Sequence, residues 1–297
     1  MKLLLTGASG FLGREIYRNC SKQFEIVSIG RSNQNDIVLD LASIIPNLNQ
    51  RFDIIVHAAG KAHMVPKTPM QNDEFLEVNF KGTKNLCRAL EKDGLLPQMF
   101  FFISSVAVYG IEHGEGINEF VGANPNTIYG KSKLLAEEFL QDWVVNKNVK
   151  LIILRLPLVV GSNPPGNLGK MIQGIKRGTY FSIGGGKAKK SMVLAEDVAD
   201  LIAGCPEISG IYNLTDGYHP SFSELESIVC SQLKKDKPFN MPIGLAKLLG
   251  KIGDFLPLFP VNSDTINKIS KDLTFSDLKA RQELGWNPSR VIDKFKI

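Results

Sequence analysis

The chain has 297 residues, 43% of them hydrophobic, with 35 basic and 30 acidic side chains and a formal charge of +5. That length and apolar content suffice for a full core and favour one α/β domain with a smaller appended lobe. Basic residues are spread along the chain with no aromatic-interleaved block, so nucleic acid is not an expected partner. No apolar run approaches the roughly 20 residues that span a bilayer, so no integral membrane segment is expected.

The opening MKLLLTGASG reads as a strand and turn, too short an apolar run for a leader peptide, and a cytoplasmic protein is expected. Strands are predicted at Lys2–Thr6, Glu25–Ile29, Asp53–His57, Met99–Ser104 and Lys150–Leu156, and helices at Phe11–Asn19, Gln71–Lys92 and Thr127–Asn146. This alternation specifies a parallel sheet covered on both faces. The expected fold is α/β, a Rossmann-type doubly wound sheet with its ligand crevice at the strand C-termini. After Leu156 the rhythm breaks. Pro157–Gly169 is rich in Pro, Gly and Asn, and short helices follow at Gly169–Arg177, Ala195–Ala203 and Ser223–Lys234, with a strand-like Gly210–Asn213. The expected division is a dinucleotide-binding domain over 1–157, to which 190–204 returns, interleaved with a smaller substrate-binding lobe over 158–297. Cys20, Cys87, Cys205 and Cys230 match no metal-ligand spacing and are expected as reduced thiols, with no metal site.

Three motifs carry chemistry. Between the first strand and first helix lies Thr6-Gly7-Ala8-Ser9-Gly10-Phe11-Leu12-Gly13. Its glycines let the backbone turn tightly against a pyrophosphate, whose charge meets the helix N-terminus. Gly7, Ser9, Gly10, Phe11, Leu12 and Gly13 are the expected cofactor contacts there. The second strand ends in Gly30-Arg31-Ser32-Asn33, without the acid that binds ribose hydroxyls in NAD sites. A guanidinium at Arg31, assisted by Arg14, suits a 2′-phosphate, so NADP(H) is favoured with NAD(H) left open. Asp40, with Leu41 beside it, is assigned to the adenine.

Tyr129 and Lys133 stand four residues apart on one helix face. A phenol ordinarily titrates near about 10, and a neighbouring ammonium together with an oxidised nicotinamide favours its phenolate. Such a tyrosine passes a proton to or from a sugar hydroxyl while hydride moves. Upstream, the apolar strand ends in Ser104-Ser105, placing a hydroxyl in the crevice. Ser105 is the candidate that polarises a carbonyl; Ser104 is expected to satisfy backbone groups.

Glycine turn, serine strand and Tyr/Lys helix, in this order, resemble the extended short-chain dehydrogenase/reductases, the NAD-dependent epimerase/dehydratase family. His57-Ala58-Ala59-Gly60, Val78-Asn79-Phe80-Lys81-Gly82-Thr83, Leu154-Arg155-Leu156-Pro157 and Leu284-Gly285-Trp286-Asn287-Pro288 are similar to further motifs of that family. The resemblance implies cofactor contacts at Ala58, Ala59, Gly60, Asn79, Ser104 and Pro157, and a homodimer built through two long helices per subunit. It also implies a nucleotide-sugar substrate met by Ser105, Val106, Asn167 and Lys190, where a lysine replaces the more usual arginine.

The family's sugar dehydratases carry an Asp-Glu pair where this chain has Val106-Ala107. An apolar pair cannot run that acid/base elimination, so dehydratase is excluded. A 4-keto reductase for surface-polysaccharide precursors is the expected activity, by resemblance to bacterial UDP-4-keto-6-deoxy-N-acetylglucosamine reductases. A nucleotide-sugar 4-epimerase and a non-catalytic NADP(H)-sensing regulator stay open. Lys61 and His63 are placed near the substrate or in solvent, and His113 on the surface. Ile243–Phe255, with leucines, isoleucines and lysines at helical spacing, is expected to pack its apolar face inward; an interfacial membrane helix is the alternative.

Overall fold

The computed structural model describes residues 1–62, 64–92, 94, 96–255 and 262–297. Seven strands form one parallel sheet: β1 (Lys2–Thr6), β2 (Glu25–Gly30), β3 (Ile37–Val38), β4 (Ile54–His57), β5 (Met99–Ser105), β7 (Lys150–Leu156) and β11 (Gly210–Asn213). Their spatial order is β11-β7-β5-β4-β1-β2-β3. Connections run outward to one side from β1 and to the other from β4, so the crevice opens between the C-terminal ends of those two strands.

Period-two alternation decides which residues face which layer. Leu3, Leu5, Ile54, Val56, Phe101, Ile103, Ile152 and Leu154 pack into one core, with α1 (Phe11–Cys20) and α6 (Ala195–Gly204) lying together. Leu4, Ile55, Phe100, Phe102, Leu151 and Ile153 point into the opposite core, beneath α3 (Gly82–Lys92) and α4 (Ile128–Trp143). Continuous apolar strands are thus explained by burial on both faces.

The helix expected at Gln71–Lys92 is three pieces. Thr68 caps α2 (Pro69–Phe75), accepting from Gln71 N–H at 3.3 Å with proline in the first turn. A π segment (Leu76–Lys81) then widens the turn before α3 resumes. The bulge carries Asn79, a buried polar side chain whose partners lie inside the molecule; π-bulges recur at functional sites for this reason.

The later chain adds β6 (Gly114–Ile117), β8 (Leu158–Val160), α5 (Gly166–Arg177), β9 (Ser182–Ile183), β10 (Met192–Leu194), α7 (Phe222–Leu233), β12 (Asn240–Met241), α8 (Ile243–Phe255), α9 (Ser263–Ser270), β13 (Leu273–Phe275), α10 (Leu278–Leu284) and α11 (Val291–Lys294). A separate core joins Val160, Leu168, Met171, Ile172, Met192, Leu225, Val229 and Phe295. After residue 204 the chain also returns to the main sheet: β11 pairs with β7, and Ala280 and Trp286 enter the first core. All four cysteines are free. Among the described residues no helix is long and apolar enough to cross a membrane.

Candidate active site

The glycine turn is built by close approach. Gly7 sits at φ 78, and a Cβ there would lie 2.7 Å from the Ala59 backbone nitrogen. A Cβ on Gly13 would lie 2.0 Å from the Gly7 carbonyl oxygen. No side chain caps the N-terminus of α1 at Gly10, so its first N–H groups face the crevice, where an anion satisfies them. Arg14 folds back and donates to the Ser9 carbonyl at 2.8 Å, bracing the turn. Arg31 is exposed just past β2. The acid nearest to it in sequence, Asp36, is engaged by β2, accepting from Ser28 N–H and Oγ at 2.8 and 2.7 Å. Asp40 accepts from Ala42 N–H at 3.0 Å beside the buried Leu41.

A buried relay locks the ends of β1 and β4 together. Thr83 Oγ1 donates to the Asn79 carbonyl at 2.6 Å, so His57 Nε2 must be the donor in its 2.9 Å bond to Thr83. His57 Nδ1 therefore accepts from Thr6 Oγ1 at 2.7 Å, while Thr6 accepts from Ala59 N–H at 3.0 Å. Burial, and secondarily the charge of Lys133, push the imidazole down to about 3; it is neutral. The relay holds Ala58-Ala59-Gly60 against the glycine turn.

The second half of the site rests on α4. A Cβ on Gly130 would lie 2.4 Å from the Ala107 carbonyl, so the helix start sits directly on the short 3-10 turn Val106–Tyr109. This brings the half-buried Tyr129 phenol into hydrogen-bonding reach of Ser105. Burial pushes the phenol up, and the Ser105 bond opposes it. Lys133, one turn along the same helix, directs its ammonium to the strand beside it. Its Nζ donates to the Ile103 carbonyl at 2.8 Å and lies 4.8 Å from the Phe102 ring centre. Burial pulls it down to about 8, with Glu137 opposing. Across the crevice, a Cβ on Gly60 would stand 3.1 Å from that nitrogen. Asn79 accepts from Lys61 N–H at 2.7 Å and donates to Ser132 Oγ at 2.9 Å. Ser132 in turn donates to the Tyr129 carbonyl at 2.8 Å.

Sequence reasoning missed the layer beneath. Glu137, one turn beyond Lys133, is fully buried and pairs with Arg155 of β7 at 2.6 Å. Ser104 donates its hydroxyl to the same carboxylate. That corrects the expectation that Ser104 satisfies backbone groups: its hydroxyl is taken up by Glu137. Arg155 lies over Tyr109 at 4.8 Å, and Tyr109 donates to Asn213 at 2.8 Å. The i+4, i+8 spacing from Tyr129 was the available signal.

The remaining assigned residues are more dispersed. Val106 follows Ser105, and Pro157 follows β7. Asn167 is exposed in the first turn of α5. Lys190 is half-buried, and burial, against the pull of Asp272, brings it down to about 8. Lys61 pairs with Glu74, and His113 is exposed. His63 lies outside the described residues. The described residues contain no cluster suited to a metal ion.

The sequence model of the NAD dependent epimerase/dehydratase family matches residues 3–205. The chain belongs to that family. It is an enzyme of the Rossmann-like α/β type, similar to an Escherichia coli O157:H7 protein named N-acetyl-alpha-D-glucosaminyl-diphospho-ditrans,octacis-undecaprenol 4-epimerase. The two are 29% identical across 86% of this chain and 79% of that one. Vibrio cholerae UDP-glucose 4-epimerase is 26% identical across 98% and 92%. Among solved structures, Bacillus cereus UDP-glucuronic acid 4-epimerase with UDP-glucuronic acid and NAD superposes with TM-score 0.79, at 18% identity over 98% and 95% of the chains. RMD from Pseudomonas aeruginosa with NADPH gives 0.74, at 20% identity over 98% and 96%. At such identities these structures share the fold. The open α1 N-terminus and the glycine turn fit a dinucleotide pyrophosphate, with the crevice continuing to Gly60 and Lys133.

Proposed function

We propose that this enzyme transfers hydride at C4 of a nucleotide-activated sugar and works as a 4-keto reductase with NADP(H). The reading is supported by the Tyr129 phenol within hydrogen-bonding reach of Ser105 at the crevice and by Arg31, with no acid beside it, at the end of β2. A phenol in its neutral form is the proton donor that reduction of a carbonyl requires. As the C4 carbonyl is reduced, Tyr129 gives its proton to the C4 oxygen and Ser105 hydrogen-bonds the same oxygen. Lys133, one turn deeper, offsets the negative charge then left on the phenol. The dinucleotide, when bound, supplies the hydride. Gly7, Ser9, Gly10, Phe11, Leu12 and Gly13 would hold its pyrophosphate side, Asp40 and Leu41 its adenine, and Ala58–Gly60, Asn79, Ser104 and Pro157 its nicotinamide half. Arg31, with no competing acid at the end of β2, supports the preference for a 2′-phosphate. Val106 would line the sugar, while Asn167 and Lys190, in the lobe over 158–297, would meet the diphosphate. Such soluble substrates place the reaction in the cytoplasm, in precursor supply for surface polysaccharide, and the family resemblance supports a homodimer.

The 4-epimerase reading is favoured by the names of the Escherichia coli and Vibrio cholerae relatives. The first is named for a sugar on a polyprenyl diphosphate, and the diphosphate is common to both kinds of carrier. Denaturing the purified protein and identifying released dinucleotide separates the two activities. A reductase releases little and binds NADPH reversibly; stoichiometric NAD sinks the reductase reading. In a turnover assay, Tyr129→Phe should lower the rate by about 10²–10⁴ with NADPH affinity retained.

A further inference from the structure

The seating of α8 reverses what its sequence leads one to expect. Ala246, Gly250 and Gly253 are its buried residues, and a Cβ on Gly250 would come within 3.2 Å of Ser263 at the start of α9. The helix therefore docks through its smallest side chains. Three of its large ones point away while Leu249 is half-buried: Leu245 is 48% exposed, Leu248 57% and Ile252 43%. At 100° per residue these three span an arc of about 60°. Lys247 and Lys251, both exposed, flank that arc on one side. Immediately before the paired strands β9 and β12, the second of which leads into the helix, Phe181 and Phe239 meet edge to face at 6.5 Å, 51% and 70% exposed. Among the described residues nothing covers this surface.

We propose that α8, with the Phe181–Phe239 pair, attaches the enzyme to an anionic lipid bilayer. The aliphatic arc enters the boundary between headgroups and acyl chains, and the lysines meet the headgroup phosphates. Charge selects this occupant. The segment 234–255 holds five lysines (Lys234, Lys235, Lys237, Lys247, Lys251) against two aspartates. A second copy of the same face would bring like charges together, whereas an anionic membrane neutralises them while burying the same apolar surface. The attachment holds whatever carries the sugar.

Flotation of the full chain with vesicles of phosphatidylcholine, alone or mixed with phosphatidylglycerol, tests this directly. Co-flotation with the mixed vesicles is expected, weakened by salt. At least a tenfold loss is expected in a Leu245→Ser/Leu248→Ser/Ile252→Ser variant and in a Lys247→Glu/Lys251→Glu variant, each with unchanged thermal unfolding. Protein that stays with the soluble fraction at low salt overturns the proposal. So does sedimentation showing a dimer that the serine variant dissociates while neither protein binds vesicles, since the face would then join two copies.

Discussion

Glu137 and Arg155 face each other at 2.6 Å in the interior, the carboxylate one helical turn from Lys133 and the guanidinium on the strand that ends at the crevice. The pair ties α4 to β7 and takes up the Ser104 hydroxyl as a third member. It is a structural clamp whose loss reaches the chemistry through Lys133.

Replacing one partner leaves the other charge buried and unpaired. Glu137→Gln should destabilise the fold by about 3–5 kcal/mol, read as a lower urea midpoint. An Arg155→Met companion substitution should recover part of that loss. A Glu137→Gln protein as stable as the parent would show that the Arg155 charge does not depend on this carboxylate.

Lys133 holds its proton only up to about 8. Reduction that needs the ammonium should therefore decline as pH rises through that value, and Glu137→Gln, which removes the opposing charge, should move the decline to lower pH. Folding responds with the opposite sign. Between about 8 and the ordinary 10.5 the unfolded chain binds the proton and the folded one does not, so stability rises with pH. Rate falling while the urea midpoint rises identifies titration rather than unfolding; Lys133→Arg should abolish the limb.

His57 is kept neutral down to about 3, whereas an exposed imidazole titrates near about 6.5. The unfolded chain takes up a proton first as pH falls through that window. Stability is then lost on acidification, about 3 kcal/mol by pH 4 from this one group. His57→Gln should give a flatter acid branch of urea midpoint against pH. An unchanged branch would mean that the ring is charged in the folded protein.

Arg31 is the test of dinucleotide choice. Arg31→Ala should weaken NADPH by about tenfold or more, the worth of a charge-assisted hydrogen bond, and leave NADH unchanged. Equal losses for both dinucleotides in fluorescence titrations would assign Arg31 no part in reading a 2′-phosphate.

Much of this architecture was legible in the residues alone. Gly7 and Gly13 sit where only a hydrogen fits between α1 and its turn, and the short apolar runs at β1, β4, β5 and β7, alternating with helical patterns, suit a sheet buried on both sides. Short-range spacing encodes such features because backbone sterics and strand periodicity are local. Partners distant in sequence were decided by tertiary structure. Ser104 turned to Glu137, Lys133 to Ile103, and α8 came to rest on Ala246, Gly250 and Gly253 with Leu245 and Leu248 outward. Helical periodicity shows that α8 has an apolar side; which side a neighbouring helix covers depends on the space α9 leaves, and there only the smallest side chains fit.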